Sequence, residues 1–236
     1  MVHSPHTPSR RRVDPDETVE TLRALLSADV AVAGGDPEFV PGALRQGERI
    51  YVERAVSKRQ REFARGRWCA RRALEQLGVP PATIPVGAQR QPVWPDGVVG
   101  SITHCDGFVA AAVCTSQTLF ALGIDVEPRK GLPVDVRSIV LTANELGRPG
   151  PDGAHGEEWD TVAFCAKEAI HKCINPSTGV TLDFLDVEVD LLPAGEFRAS
   201  LVGRSVDLAP VFDRLQGRYG LSPTHVAAVA TIQPLA

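Results

Sequence analysis

The spacing of apolar residues along the 236-residue chain changes several times, and each change marks a predicted element. The first 17 residues show no period at all. Pro, Ser, Arg and acidic residues follow one another there, which predicts a flexible arm and a fold beginning near Val19. Residues 48–77 form a long Pro-free stretch in which Phe63, Ala70, Leu74 and Leu77 are apolar and Arg or Lys fills most other positions. Gly78 and two prolines close it, so the pattern predicts a helix or helix pair ending there. The segment PVGAQRQPVWPDG, 85–97, is broken too often by Pro and Gly to hold a ladder and reads as loop. In VVGSITHCDGFVAAAVC, 98–114, two strands meet at Asp106-Gly107, a hairpin signal, and a third strand, TLFALGIDVE, is ended by Pro128.

Past Pro128 the period changes again. Thr142 and Glu145 in LTANEL fit a capping box, and a Pro/Gly-rich loop follows over 148–156. In EWDTVAFCAKEAIHKC, 158–173, Trp159, Val162, Ala163, Ala166, Ile170 and Cys173 recur at helical spacing and predict one buried stripe. LDFLDVEVDLL, EFRASLVG and THVAAVATIQ alternate as strands do. The pattern thus predicts both helices and strands. One echo suggests two similar halves: THCDGFVAAAV at 103–113 and THVAAVATI at 224–232 both follow a Thr-His with a small apolar strand.

Composition narrows the partners. An apolar fraction of 43% supports a sizeable core, and a net charge of -4 with a sequence pI near 5.9 argues against general nucleic-acid or membrane binding. The five cysteines are odd in number, have no C-x-x-C spacing and sit in apolar segments, as expected of reduced, buried thiols. The N-terminus has no apolar h-region, and runs such as FVAAAVC are too short to span a bilayer, so a soluble cytoplasmic protein is expected.

Candidate chemistry concentrates in four places. Asp125 and Glu127 are i and i+2 of one strand and share a face. At ~6 Å and an effective dielectric of ~20 their repulsion is about 3 kcal/mol. A hard cation such as Mg²⁺, Mn²⁺ or Ca²⁺ relieves it, and so does emergence of the strand end into solvent; residues 123–128 alone leave both readings open. Only four of the 25 basic residues are lysines, and Lys167 and Lys172 bracket Glu168 on one predicted helix. The plain alternative is a solvated Glu168–Lys172 pair contributing about 0.2 to 0.5 kcal/mol. His104 in GSITHC suits either a phosphate contact or a backbone-satisfied core position. The run Lys58, Arg59, Arg61, Arg65, Arg67, Arg71 and Arg72 cannot place every charge on one face, but a subset of these forks suits phosphate. Together these residues describe a polyphosphate site: acids for Mg²⁺, lysines and a histidine for phosphoryl oxygens, arginines for an outer phosphate.

The blocks GSITHC, GIDVEP and FCAKEAIHK, in this order and spacing, resemble the signature blocks of the 4′-phosphopantetheinyl transferases of the Sfp/EntD class, nearest the actinobacterial and enterobactin-type branch. RGRWCARRAL and QPVWPDGVVGS extend the match, which covers about residues 45–175. The resemblance implies an α+β fold of two pseudo-symmetric α/β halves, residues 18–117 and 118–236, with the active site in the cleft between them and one chain sufficient as a monomer. It implies transfer of the phosphopantetheine arm of coenzyme A to a serine of an apo acyl or peptidyl carrier protein, with release of 3′,5′-ADP. Asp125, Glu127 and Glu168 match the metal-binding acids, with Mg²⁺ expected and Mn²⁺ an alternative. Lys172 matches the lysine at the transferred phosphate, with Lys167 a further candidate for phosphoryl oxygens. Thr103 and His104 match a pyrophosphate-binding pair, and Arg59 and Arg67 fall where relatives hold the 3′-phosphate. The serine proton has two candidate acceptors, Glu168 and Glu145. Several relatives carry a lysine in the loop before WPDG that contacts the nucleotide; here Arg90 is the candidate substitute. The competing readings are a Mg²⁺-dependent phosphoesterase or pyrophosphatase with water as nucleophile, and an inactive coenzyme A- or carrier-binding homologue.

Overall fold

The structure, a computed structural model, describes residues 15–35, 44–154, 156, 158–203 and 208–235. Its first element is helix α1, Pro15–Ala24, followed by strand β1, Ala31–Gly35. The arm expected over 1–17 thus overlaps a helix by three residues, and the rest of it lies outside the described residues. The expected helix pair resolves into a single turn α2, Gln46–Arg49, and a long α3, Ser57–Gln76. The hairpin forms as β2, Val98–Cys105, and β3, Phe108–Thr115, joined at Asp106-Gly107, where Gly107 takes the left-handed φ of +82°. Strand β4, Ala121–Pro128, is followed by a short helix α4, Val134–Val140, which the apolar pattern did not signal. Helix α5, Glu158–Thr178, runs five residues beyond the expected end and takes Pro176 into its last turn. Strands β5, Val187–Leu192, and β6, Glu196–Leu201, a turn of helix α6, Ala209–Phe212, then β7, Leu215–Leu221, and β8, His225–Ile232, complete the chain.

Two antiparallel sheets carry the fold, in the orders β1-β3-β2 and β4-β8-β7-β6-β5. The topology repeats. Each sheet begins with a strand, continues through a long helix (α3 or α5) and later strands, and inserts its last strand beside its first. The inserted strands β3 and β8 are the two Ala-rich segments of the echo. Their Thr-His pairs are not equivalent, however: Thr103-His104 lies at the end of β2, whereas His225 begins β8.

Alternation along the strands distributes the core. Phe108, Ala110 and Ala112 of β3, Ile124 and Val126 of β4 and Val229 of β8 face α1, which covers both sheets on one side. On the other side, Val109, Ala111 and Val113 meet α3, while Val226, Ala228 and Ala230 meet α5. Between the sheets β2 and β4 run side by side without a backbone ladder. Their seam is made by hydroxyls: Ile124 N–H donates to Ser101 Oγ at 3.1 Å and Val126 N–H to Thr103 Oγ1 at 3.2 Å.

Helix α5 lies directly on β4 at Gly123, where a Cβ would come within 1.9 Å of the Ala169 carbonyl oxygen and 2.6 Å of the Cys173 nitrogen. Both obstacles are backbone, so the helix itself would have to retreat. Gly123→Ala is expected to cost about 3 kcal/mol or more, read as a lower midpoint in urea unfolding.

The capping box is corrected. Thr142 N–H does donate to Glu145 Oε2 at 2.7 Å, but turns rather than a helix follow, and Thr142 Oγ1 donates to Glu188 across the chain. All five cysteines are free thiols, and no described helix is long and apolar enough to cross a membrane.

Candidate active site

On the α5 side of β4, Gly123 is followed two residues later by Asp125 and then by Glu127. The glycine lets α5 approach, and the approach brings Lys172 to Asp125. Asp125 is only 2% exposed. Its Oδ1 accepts hydrogen bonds from Thr103 Oγ1 at 2.9 Å and Lys172 Nζ at 2.5 Å, while its buried Oδ2 has no hydrogen-bond partner. The Cys165 thiol, with Sγ 3.8 Å from the Val226 carbonyl, is raised in pKa by burial first and then by the charge of the neighbouring Asp125 and a side-chain hydrogen bond to it.

Excess negative charge defines the surroundings. Burial, reinforced by the Asp125 charge and opposed by Lys172, pushes the Glu127 carboxyl up to about 7. Glu168 is raised as well, by burial first, with Lys172 opposing and the smaller effect of the Asp125 charge adding to the rise. For Lys172 burial disfavours the ammonium, but Asp125 and Glu168 outweigh it and the pKa is raised. Among the described residues no three His, Cys, Asp or Glu side chains stand close enough to hold an ion as they are placed, and Lys172 occupies one Asp125 oxygen. The donor set nonetheless fits a hard dication: it is all oxygen, it contains a buried oxygen without a partner, and two of its carboxyls, Glu127 and Glu168, are held towards protonation by burial and by the Asp125 charge.

A stability effect follows from Glu127. Its folded pKa lies above its unfolded value, so its contribution is fully present below about pH 4.5 and is lost as pH rises through about 7. Melts without metal are expected to show about 2 kcal/mol less stability from this group at pH 8 than at pH 5, after discounting for partial exposure. Glu127→Gln should flatten that interval.

At the mouth of the site, His104 Nε2 contacts Arg59 Nη1, and Arg59 also meets Glu62 at 3.7 Å. The His104 ring keeps an exposed edge, yet burial of the remainder lowers its pKa, and the Arg59 and Lys172 charges add to that. It is therefore a neutral imidazole at pH 7. Arg90 sits at a left-handed φ of +67° in an exposed turn. With Trp94, Ser101, His171 and Lys172 it lines a cavity of about 190 Å³, so the loop before WPDG and α5 do share a cleft.

Three expected site residues face elsewhere. The Arg67 side chain is 5% exposed, donates from Nε to the Ile84 carbonyl at 2.7 Å and lies over the Phe63 ring at 4.3 Å. Burial lowers its pKa to about 10, with Glu48 opposing. It anchors the segment after α3 instead of presenting its fork to the cleft. Lys167, 3% exposed, donates to the Val140 and Phe184 carbonyls, each at 2.9 Å, and to Glu145 Oε2 at 2.6 Å, so its three N–H groups are all taken. Glu145, 5% exposed, accepts from Lys167, Thr142 N–H and Val189 N–H, which leaves it no free face for a substrate proton. Thr103 reaches the site, but its hydroxyl is committed to Asp125 and Val126, so it orients the carboxylate. Ser101 does the same for β4 one step earlier; the reading of GSITHC passed over it because only the histidine suggested chemistry.

Comparison with known proteins matches residues 47–114 to the family described as 4′-phosphopantetheinyl transferase N-terminal domain and residues 121–230 to the 4′-phosphopantetheinyl transferase superfamily. The chain is 42% identical over 195 residues to 4′-phosphopantetheinyl transferase Svp of Streptomyces mobaraensis, covering 78% of each protein. It is 43% identical over 174 residues to 4′-phosphopantetheinyl transferase PptT of Mycobacterium tuberculosis, covering 71% of this chain and 74% of that one. Similarity to enterobactin synthase component D of Salmonella typhimurium is 34% over 173 residues, covering 64% and 67%.

Proposed function

The chain belongs to the 4′-phosphopantetheinyl transferase superfamily, and from that premise we propose that it moves the phosphopantetheine arm of coenzyme A to a serine of an apo acyl or peptidyl carrier protein, with Mg²⁺ as cofactor. The observation that carries this reading is the buried Asp125 carboxylate, one oxygen on Lys172 and Thr103 and the other without a partner, at the seam of the two sheets.

In the proposed reaction the serine Oγ attacks the phosphorus that bears pantetheine, and the bond to the bridging oxygen of 3′,5′-ADP breaks. The serine proton passes to Glu168, whose raised pKa makes it a better proton acceptor than an ordinary carboxylate. Lys172, held as an ammonium by Asp125 and Glu168, stabilises charge on the phosphoryl oxygens. Asp125, Glu127 and Glu168 would hold Mg²⁺, which when bound supplies neutralising charge for the pyrophosphate. That role requires Lys172 to yield the Asp125 oxygen or the ion to enter through Oδ2. His104 and Arg59 at the mouth, and Arg90 across the cleft, supply donors for the pyrophosphate and nucleotide. The repeated topology supports two halves, 18–117 and 118–236, and one chain supplies both walls of the cleft, which favours a monomer as the working unit.

The test is incubation with Mg²⁺, coenzyme A and each of several apo carriers, followed by mass measurement of the carrier. A gain of one phosphopantetheine is expected on at least one. No gain on any, with nucleotide released in the absence of carrier, would replace transfer by hydrolysis.

A further inference from the structure

The Glu145–Lys167 pair is too well satisfied to be idle charge and too enclosed to meet a substrate. Its side chains are 3% and 2% exposed, and it sits beside the apolar cluster of Val140, Leu141 and Ala163. Every polar contact of the pair ends on a different segment. Lys167, on α5, holds the last carbonyl of α4 and the Phe184 carbonyl of the 3-10 turn Phe184–Asp186. Glu145, in the turns after α4, holds the N–H of Thr142 and that of Val189 on β5. A cavity of about 220 Å³ opens alongside, and its lining includes Lys167, Glu168, Phe184 and Val187. One wall of that cavity is α5 with Glu168; the facing wall is the 184–187 segment, which the pair tethers to α5.

We propose that Glu145 and Lys167 form a positioning strut that fixes the width of the cavity at Glu168, and that Glu145 takes no proton in the reaction. The inference rests on the functional reading above. A buried ion pair rarely adds net stability over an apolar pair of the same shape, but its directed hydrogen bonds fix geometry that apolar contacts leave adjustable. Five segments converge on these two side chains, so the strut acts on the cavity wall as a unit.

Three variants test it. Glu145→Gln cannot act as a base, and its one acceptor oxygen can serve the Thr142 amide and Lys167 while its N–H₂ faces the Val189 amide, so some loss of stability is expected; kcat within about threefold of the wild type and an unchanged pH profile are expected, against a loss of about 10² or more for a catalytic base. The apolar pair Glu145→Met with Lys167→Met removes the charges together, so that neither is left buried alone. It is expected to fold, to raise KM for coenzyme A or the carrier about tenfold with a smaller change in kcat, and to speed amide exchange at residues 184–189 about tenfold or more. Lys167→Met alone leaves Glu145 uncompensated and should be the least stable of the three, with Glu145→Met restoring the loss. A Gln variant with kcat down a hundredfold at unchanged exchange, or a double variant with wild-type KM and exchange, would overturn the strut. Exchange is read without turnover, so failure of the transferase reading leaves this measurement decisive.

Discussion

Asp125→Asn should fold and yet transfer phosphopantetheine about three orders of magnitude more slowly than the wild type, the scale expected when several kcal/mol of charge stabilisation is lost. Asparagine preserves the shape of a side chain that is 2% exposed and can still accept from Thr103 and Lys172. What it removes is the negative charge, and it places an N–H₂ where Oδ2 now has no partner. Asp125→Ala is the poorer test, because it also strands the ammonium of Lys172, and breaking a buried pair costs about 3 kcal/mol or more. Rates from carrier mass gain, with circular dichroism to confirm folding, decide the matter. A folded Asn variant at the wild-type rate would remove Asp125 from the chemistry.

Lys172→Ala separates structure from catalysis in a second way. A fall in kcat of about 10²–10³ is expected from loss of a preorganised cation at the phosphoryl oxygens. Melting temperature should fall too, since Asp125 is left with Thr103 alone. Mg²⁺ should then restore much of the lost stability, and more than it adds to the wild type, where it competes with the ammonium for Asp125. The rate should stay low. Recovery of rate together with stability would mean that Lys172 serves only to neutralise Asp125; an unchanged rate would return it to a simple ion pair.

Elements written in local pattern were legible in the chain. Helix α5 announced itself by the stripe from Trp159 to Cys173, the hairpin by Asp106-Gly107, and β4 by an apolar run closed at Pro128. Helix α4 was not, because seven residues with apolar side chains on several sides carry no period. Strand β7, LQGRYGL, hid behind two glycines; Gly217 is required because the Phe197 ring lies where its Cβ would be, a fact that only the neighbouring strand reveals. In the candidate site, Asp125 and Lys172, which the structure brings into contact, could be singled out because residue type and short spacing already suggest chemistry. Arg67, Lys167 and Glu145 turn away from the cleft for one shared reason. Their partners, the Ile84 carbonyl for Arg67 and the Phe184 carbonyl and Val189 amide for the pair, lie 17 to 44 residues away, and sequence spacing says nothing about which way a long side chain turns.

The seam between β2 and β4 has a consequence for behaviour in crowded solution. A strand edge with unpaired amides invites a strand from another chain, and two such edges meet here without pairing. Ser101 and Thr103 occupy the Ile124 and Val126 amides, so β4 offers an intruding strand no free donor at those positions. A valine at either place would keep the shape and bare an amide. Because these residues are buried where the two strands abut, the bared amide should first lower the urea midpoint, and only parting of the sheets would offer it to another chain; Thr103→Val should also slacken Asp125, since one hydroxyl both closes the edge and orients the charge.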